Sequence, residues 1–238
     1  MENKKAKKKW SNKHSRRYWE SKEKVDSKKS YSLPEAIGVL KQFKKAKFDE
    51  TVELSAHLGI DPKKADQLVR GSISLPKGIG KSLRVIAFCD GDIAKQAREA
   101  GAIEVGAEDL AKKIQEGWLD FDVAVAHPGM MRFVGRLGKV LGPAGKMPSP
   151  KSGTVTEAVA DAVREFSAGK IEFRTDAGGN IQISVGKLSF KNEDLLTNIH
   201  FFLEHLRMLK PPSSKGDYFL NLVLSSTMSP GVRLEKAS

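Results

Sequence analysis

The stretch YFLNLVLSSTMSPG (residues 218–231) joins a predicted strand to a short polar turn. Its first half is rich in aromatic and branched residues and lies between Gly216 and Pro230, a pattern typical of a strand. Because strand side chains alternate, one face carries apolar side chains, namely Tyr218, Leu220, Leu222 and Leu224. The other face carries small hydrogen-bonding side chains, namely Asn221, Ser225 and Thr227. The stretch therefore predicts either a plain edge strand with its turn or a polar surface that binds a partner.

Composition indicates a folded protein of one large or two ordinary domains. The chain has 238 residues, of which 39% are hydrophobic, so it can form a packed core without disulfide bonds. Cys89 is the single cysteine, which fits a reducing compartment, and no apolar run is long enough to span a membrane. We expect a cytoplasmic protein.

The formal net charge of +12 is concentrated near the N-terminus. Residues 1–30 hold twelve Lys or Arg and four acidic residues, so they carry +8 of that charge. Such a block buries little and repels itself, which predicts a basic extension that is disordered or marginally helical when free. Trp10, Tyr18 and Trp19 interleave with the cations and could stack on bases or anchor the extension to the folded body. The charge indicates a nucleic-acid partner, since phosphates attract such segments.

The first folded segment combines a helix with a half-buried strand. Ser32 and Glu35 have the spacing of a capping box, and the apolar residues that follow predict a helix over 33–44. Residues 52–58 alternate apolar and polar side chains, as a half-buried strand does. Phe48 stands among lysines before this strand, either to pack on the helix or to offer RNA an apolar platform. A polar segment then leads to the turn at 76–80, where we place a domain boundary.

The middle of the chain alternates strands and helices. Apolar strands are predicted over 84–89 and 121–126, with a short strand at Val105. Helices are predicted from Asp90 to Gly101, over 108–116, around 130–137 and over 156–168. Such alternation indicates a small parallel sheet covered by helices.

From Gly169 the pattern returns to alternating strands and one long helix. Residues 171–174 and 181–185 flank a turn at 176–180, which predicts a β-hairpin. A helix begins near Asn192, carries an apolar stripe and stops before Pro211. The chain is therefore α/β overall, with α+β parts at both ends and a middle part that could be inserted between them.

The sequence predicts no catalytic, cofactor or metal site. LPKGIGKS (75–82) ends like a phosphate-binding loop, but Leu75 stands where that motif requires glycine, and a strand follows instead of a helix. Cys89 lies among apolar residues, and no spacing places a nucleophile or an acid beside His127. The scattered histidines form no metal-ligand pattern. Two alternatives stay open: a nucleotide-using enzyme, and a nonspecific basic protein that acts through its N-terminus.

Several segments together resemble the bacterial ribosomal protein L-one family. They are KFDETVE (47–53), LGIDP (58–62), VRG (69–71), LPKGIGK (75–81), PSPKSGTV (148–155) and STM (226–228). The resemblance runs in order from about Ser32 to Arg233 and leaves residues 1–30 outside it.

This resemblance implies a fold and a function. After a basic extension (1–30), it implies a discontinuous, RNA-binding α+β domain I (31–77 plus 169–238) and an inserted Rossmann-like α/β domain II (78–168). It implies a non-enzymatic protein of the large ribosomal subunit that binds the mobile stalk of the ribosomal RNA beside the tRNA exit site. Assistance in the release of deacylated tRNA is implied too, as is repression of its own operon through a stalk-like mRNA element. We expect a monomer off the ribosome, with no cofactor and no membrane partner.

The resemblance also implies which residues contact RNA. They are Lys47, Phe48, Thr51, Arg174, Asp176, Lys187, Asn221, Thr227, Met228 and Ser229. The basic side chains are expected to bind phosphates, the small polar ones to bind 2′-hydroxyls and backbone, and Phe48 and Met228 to pack on sugars and base edges. Two positions depart from the family pattern, which usually has glycine at 229 and Ser or Thr at 221. Since glycine allows the closest backbone approach, Ser229 predicts either a shifted backbone or an additional hydroxyl contact to RNA.

Overall fold

A computed structural model describes residues 14–26 and 28–235. The helices are α1 (Arg16–Glu23), α2 (Leu33–Lys41), α3 (Gly91–Glu99), α4 (Glu108–Gln115), α5 (Met131–Val134), α6 (Gly138–Leu141), α7 (Val159–Ser167) and α8 (Asn192–Met208). The strands are β1 (Thr51–Leu58), β2 (Arg70–Ser74), β3 (Val85–Phe88), β4 (Glu104–Gly106), β5 (Val123–Ala126), β6 (Lys170–Arg174), β7 (Asn180–Lys187), β8 (Phe219–Ser226) and β9 (Val232–Arg233). Within these residues the strands form three separate sheets, so the chain is mixed α/β as predicted.

The largest sheet joins segments from both ends of the chain. Its strand order is β7-β1-β8-β9, and every neighbouring pair is antiparallel. In β1 the side chains alternate strictly between buried and half-buried, and the buried set packs in one core with side chains of α2 and α8. The other face of β1 carries polar side chains. The alternation predicted for 52–58 is therefore confirmed.

One strand departs from its predicted alternation. We expected Leu220 on the core face of β8, but it is 40% exposed, whereas Phe219 is buried. The register explains the difference, because His57 pairs with Asn221 while Leu58 pairs with Phe219. Leu220 is thus the extra residue of a β-bulge, and a bulge shifts the alternation by one position.

The predicted hairpin around 176–180 is wrong as a pairing of strands. Its turn does form, since Asp176 N donates to Asn180 O (2.9 Å). However, β6 pairs with β2 in a two-stranded sheet, and β7 pairs with β1. We had interpreted the segment that contains β2 as a polar connection. A local pattern of alternation specifies which face of a strand is buried, but it does not specify which other strand it pairs with.

The middle of the chain contains the predicted parallel sheet. Its order is β4-β3-β5, and both pairs are parallel. Residues 75–82 lead into β3 as predicted, whereas a phosphate-binding loop would open a helix. The helix predicted around 130–137 forms as a continuous run of α and 3₁₀ segments over 128–141, which includes α5 and α6. Gly135 and Gly138 lie where the geometry changes between α and 3₁₀.

Buried side chains form three clusters. One is built from residues between 31 and 79 together with residues between 171 and 234. The other two lie among residues 85–166 and include side chains of β3 and β5. The chain passes from the first cluster to the others near Ile79 and returns near Gly169. These two crossings are neighbours, since a Cβ on Gly169 would lie 3.3 Å from the Ile79 side chain.

The N-terminal segment is helical where it is described. Ser15 caps α1, and Lys24 Nζ donates to Gln42 O (3.0 Å). The rings of His14 and Tyr18 stack at 4.2 Å. For residues 14–26 the structure agrees with the helical alternative and not with disorder, because α1 finds partners on the folded body that its composition does not reveal. Trp10 and the rest of 1–13 lie outside the described residues.

Candidate nucleic-acid interface

Three distant segments that carry predicted contact residues meet at the end of the large sheet where β1 begins. We call residues 46–51, 187–189 and 226–229 the loop cluster. Thr51 N donates to Thr227 Oγ1 (3.0 Å), and Thr227 N donates in return to Thr51 O (3.1 Å). Lys187 Nζ donates to Thr51 Oγ1 (2.8 Å). The structure therefore brings Thr51, Lys187 and Thr227 into direct contact.

The loop cluster exposes two large apolar side chains. Phe48 is 54% exposed and Met228 is 51% exposed, although each could have packed inward. Lys47 is exposed beside Phe48. Apolar surface next to a free cation suits a ligand that has both apolar rings and phosphates, as RNA does. The sequence left two roles open for Phe48. Its exposure favours an apolar platform for RNA over packing on α2.

Ser229 completes the turn that follows β8. Its Oγ accepts a hydrogen bond from Ser226 N (2.9 Å), and its own N donates to Ser226 O (3.0 Å). No non-glycine residue of 14–26 and 28–235 has a positive φ, so the backbone at 229 does not need glycine in this conformation. The hydroxyl acts within the turn, and its contact with RNA stays a prediction.

Two other predicted residues lie at the opposite end of the same sheet. Asp176 Oδ1 accepts hydrogen bonds from Gly178 N and Asn180 N, both at 2.8 Å. The side-chain hydrogen bond from Asn180 is the largest cause that holds the pKa of Asp176 below its ordinary value. Asn221 lies across from His57 in the ladder, and its Oδ1 is buried without a hydrogen-bond partner among the described residues. His57, which pairs with Asn221, lies six positions along β1 from Thr51, and this corresponds to about 20 Å along a strand.

A largely polar sheet surface connects the two ends. We call it the open sheet face, and it consists of Glu53, Ser55 and His57 on β1, Gln182 and Ser184 on β7, and Asn221, Val223 and Ser225 on β8. Among these, sequence reasoning singled out only Asn221 and Ser225 as facing a partner. The signal was present in the alternation of 52–58 and 181–185, but only the strand pairing shows that these rows are adjacent.

Arg174 stands apart from the loop cluster. It ends β6 directly opposite Arg70 in the two-stranded sheet. Both arginines line a cleft of about 590 Å³ against the glycine- and proline-rich segment 142–149. Arg70 also forms an ion pair with Glu172, with 3.8 Å between Arg70 Nη2 and Glu172 Oε1. The structure therefore assigns Arg174 to a different surface from Lys47 and Lys187.

Sequence reasoning missed the buried acid beneath the loop cluster. Glu50 is 3% exposed, and its carboxylate accepts hydrogen bonds from Ser226 Oγ (2.6 Å) and Met228 N (3.1 Å). Burial by itself raises the pKa of Glu50, but hydrogen bonds from Ser226, Ala46 and Met228 and the charge of Arg17 together hold it below its ordinary value. No sequence signal distinguishes this acid from its exposed neighbour Asp49.

The two acidic side chains of the loop cluster accept hydrogen bonds from within the protein. Asp49 accepts hydrogen bonds from Ser189 N (3.2 Å) and Ser189 Oγ (2.7 Å), and Glu50 is buried. Lys44, Lys45 and Lys47 are exposed on the segment that leads into the cluster. Exposed cations around small polar and apolar groups favour a polyanionic ligand.

The described part of the chain shows no metal-binding group of three or more His, Cys, Asp or Glu side chains. Cys89 is buried, and burial raises the pKa of its thiol to about 11, which is unsuited to a nucleophile. Within residues 14–26 and 28–235, no helix combines the length and the apolar character that a membrane crossing requires.

Comparison with known proteins identifies the family. The Ribosomal protein L1p/L10e family matches residues 40–230. The large ribosomal subunit protein uL1 of Thermosipho melanesiensis is 53% identical over 227 residues, which cover 95% of this chain and 98% of that protein. The uL1 proteins of Kosmotoga olearia and Chlamydia pneumoniae are 49% and 52% identical, over 94% and 88% of this chain and 96% and 90% of their own lengths.

These alignments also correct one expectation. Since the first of them includes 227 of the 238 residues, most of residues 1–30 lie inside the similarity and are not an addition to it. The residues of α1 therefore lie within the aligned region. With a family match over most of its length and relatives of about half-identical sequence, the chain belongs to the ribosomal protein L1p/L10e family.

Proposed function

We propose that this protein is a structural, non-enzymatic component of the large ribosomal subunit that binds ribosomal RNA through the loop cluster and the open sheet face. The names of its relatives support the ribosomal role. The observation that carries the RNA site is the direct hydrogen bonding of Thr51 and Thr227. It unites two loops that are 176 residues apart in sequence and that expose Phe48 and Met228.

The geometry supports a division of roles among the predicted residues. Lys47 and Lys187 lie at the loop cluster and would bind phosphates. Thr227 and Thr51 would meet 2′-hydroxyls, while Phe48 and Met228 would cover sugars and base edges. Asn221, whose buried Oδ1 has no partner among the described residues, would accept a hydrogen bond from RNA at the far end of the open sheet face.

Asp176 and Arg174 have separate proposed roles. Asp176 uses its carboxylate to order the turn after β6, so its contribution to RNA binding would be to shape that turn. Arg174 would bind a phosphate from its own cleft, and its removal should lower the salt dependence without changing contacts at the loop cluster.

The proposed architecture divides the chain into two domains. Domain I would consist of 31–77 plus 169–238 and carry the RNA surface, and the Rossmann-like domain II would consist of 78–168. The separation of buried side chains into one cluster from both ends and two from the middle supports this division. The α1 segment would belong with domain I, because Arg17 and Lys24 contact it.

The finer function follows the family resemblance. The RNA partner would be the mobile stalk of the large-subunit RNA beside the tRNA exit site, where the protein would assist the release of deacylated tRNA. A stalk-like element in its own operon mRNA would be a second target for the same surface, and binding there would repress translation. Both targets would need the same loop cluster.

A binding assay with a stalk RNA tests the proposal. Wild type should prefer the stalk RNA over an unrelated duplex of equal length, and Thr227→Ala and Met228→Ala should each weaken binding. Met208→Ala is the matched control, because this methionine is 82% exposed at the end of α8, outside the loop cluster and the open sheet face. Unchanged affinity in both loop variants would refute the site assignment. Equal affinity for the two RNAs would refute the proposed function.

A further inference from the structure

Glu50 lies where four segments of the chain meet beneath the loop cluster. Its Oε1 accepts a hydrogen bond from Ala46 N (2.8 Å) and lies 3.9 Å from Arg17 Nη1. Its Oε2 accepts hydrogen bonds from Ser226 Oγ (2.6 Å) and Met228 N (3.1 Å). Both carboxylate oxygens are therefore occupied by donors on loops that are far apart in sequence.

Each partner belongs to a segment that carries proposed RNA contacts or packs beside one. Ala46 immediately precedes Lys47 and Phe48, and Met228 is itself a proposed contact. The backbone oxygen of Glu50 also accepts from Leu188 N (2.8 Å), directly after Lys187. One residue thus links the backbones of all three segments of the loop cluster.

The chemistry of these partners requires a carboxylate. Ala46 N, Met228 N and the Ser226 hydroxyl all donate, so both side-chain oxygens must accept. A glutamine has one oxygen and one NH₂ group, so its NH₂ would face a group that also donates, and that group would lose its acceptor. A buried charge is tolerated only when hydrogen bonds and an opposite charge compensate it, and here three hydrogen bonds and Arg17 do so.

We propose that Glu50 is a positioning residue for RNA binding, whose buried carboxylate holds the loops of Phe48 and Met228 in the geometry that RNA meets. This inference rests on the proposed function and adds a residue that does not itself touch RNA. Phe48 and Met228 are each about half exposed to water, so their position depends largely on the backbone that carries them. Loops ordered before binding avoid an ordering cost when RNA arrives. The ion pair to Arg17 ties α1 to the same carboxylate.

The test compares Glu50→Gln with wild type in stalk-RNA affinity. Glu50→Gln keeps the size of the side chain, so it should fold, but it leaves one loop without its acceptor. We expect binding about tenfold weaker, which corresponds to roughly 1.4 kcal/mol. Amide hydrogen exchange in the free protein should become faster at Ala46 or at Met228, whichever N–H faces the new NH₂ group and so loses its acceptor.

Asn198→Ala is the matched control. Asn198 is fully buried on α8 and also makes three hydrogen bonds, to Lys77 N (3.1 Å), Gly78 O (3.0 Å) and Val185 O (2.8 Å). It belongs to neither the loop cluster nor the open sheet face. Its loss should lower the free energy of unfolding by an amount similar to Glu50→Gln, while RNA affinity stays close to wild type as long as the protein is folded.

A double-mutant cycle separates positioning from general destabilisation. Because Glu50 is argued to act in part through the Met228 loop, Glu50→Gln should weaken binding less in a Met228→Ala background than in wild type. Additive effects on affinity, or equal losses in Glu50→Gln and Asn198→Ala, would overturn the inference.

The outcomes also separate this inference from the proposed function. If wild type prefers stalk RNA and Met228→Ala weakens binding, but Glu50→Gln binds as tightly as wild type, the positioning role is wrong and the proposed function stands. If wild type shows no preference for stalk RNA, both are wrong.

Discussion

Replacing Phe48 by alanine measures the apolar part of the proposed RNA contact. The side chain is 54% exposed in the free protein, so about half of its surface is available to be covered by RNA. Complete burial of a phenylalanine is worth about 1.5–3 kcal/mol, so covering the exposed half contributes roughly 0.8–1.6 kcal/mol. The variant should therefore bind stalk RNA roughly 4- to 15-fold more weakly.

The assay is an equilibrium titration of stalk RNA at several salt concentrations. Phe48 carries no charge, so the slope of log affinity against log salt should not change. Lys47→Ala should instead lower the magnitude of the slope by about 0.7–0.9 for one lost phosphate contact. Urea unfolding monitors stability, which should change little because Phe48 lies outside the buried clusters.

Two results would refute the reasoning about Phe48. One is an affinity equal to that of wild type, which would mean that RNA leaves the ring in water. The other is a change in the salt slope, which would mean that the ring orders nearby lysines instead of covering sugars. Met208→Ala, which removes an exposed apolar side chain from α8, should show neither change.

The remaining predictions concern stability and reactivity. Gly59→Ala should destabilise the fold by about 1–3 kcal/mol in urea unfolding, because its Cβ would lie 2.2 Å from a backbone oxygen. Gly38→Ala in α2 should instead stabilise the fold by about 0.5–1 kcal/mol, because its Cβ would meet nothing within 4 Å. Ser229→Gly should lower the free energy of unfolding by about 0.5–1.5 kcal/mol through the lost turn hydrogen bond, and an unchanged value would show that this bond contributes nothing. Cys89 should resist alkylation at pH 8 until the protein unfolds, since its thiol pKa is about 11, and mass spectrometry would reveal early modification. The folded-state pKa of Glu50 lies below the unfolded value of 4.5, so its contribution to the free energy of unfolding should be fully present above pH 4.5 and fade below it; acid titration of Glu50→Gln should show a smaller loss in that range.

Local patterns predicted many elements because they depend on neighbours in sequence. The capping spacing at Ser32 and Glu35 indicated the start of α2, and Glu35 does accept from Ser32 N (3.3 Å). The alternation of 52–58 matched β1, and the apolar run at 84–89 matched a strand of a parallel sheet. In each case the signal lies in residues that are close together in sequence.

Pairing errors came from contacts that no local pattern records. The strands around the turn at 176–180 have hairpin alternation, yet β6 joins β2 because that edge was available in the folded chain. Leu220 had a core position by alternation, but a bulge opposite His57 and Leu58 moved it outward. The helix α1 depends on partners such as Gln42, which lies 18 residues away.

Sequence alone determined the charge distribution, the alternating strands and, through its motifs, the set of residues expected to contact RNA. Tertiary structure decided which of them act together. Thr51, Lys187 and Thr227 meet, Asn221 and Asp176 lie about 20 Å away along β1, and Arg174 faces another cleft. It also decided that Glu50 is buried and Asp49 exposed. The physical reason is that hydrogen bonds between distant loops, and the desolvation of a carboxylate between them, depend on which segments folding brings together.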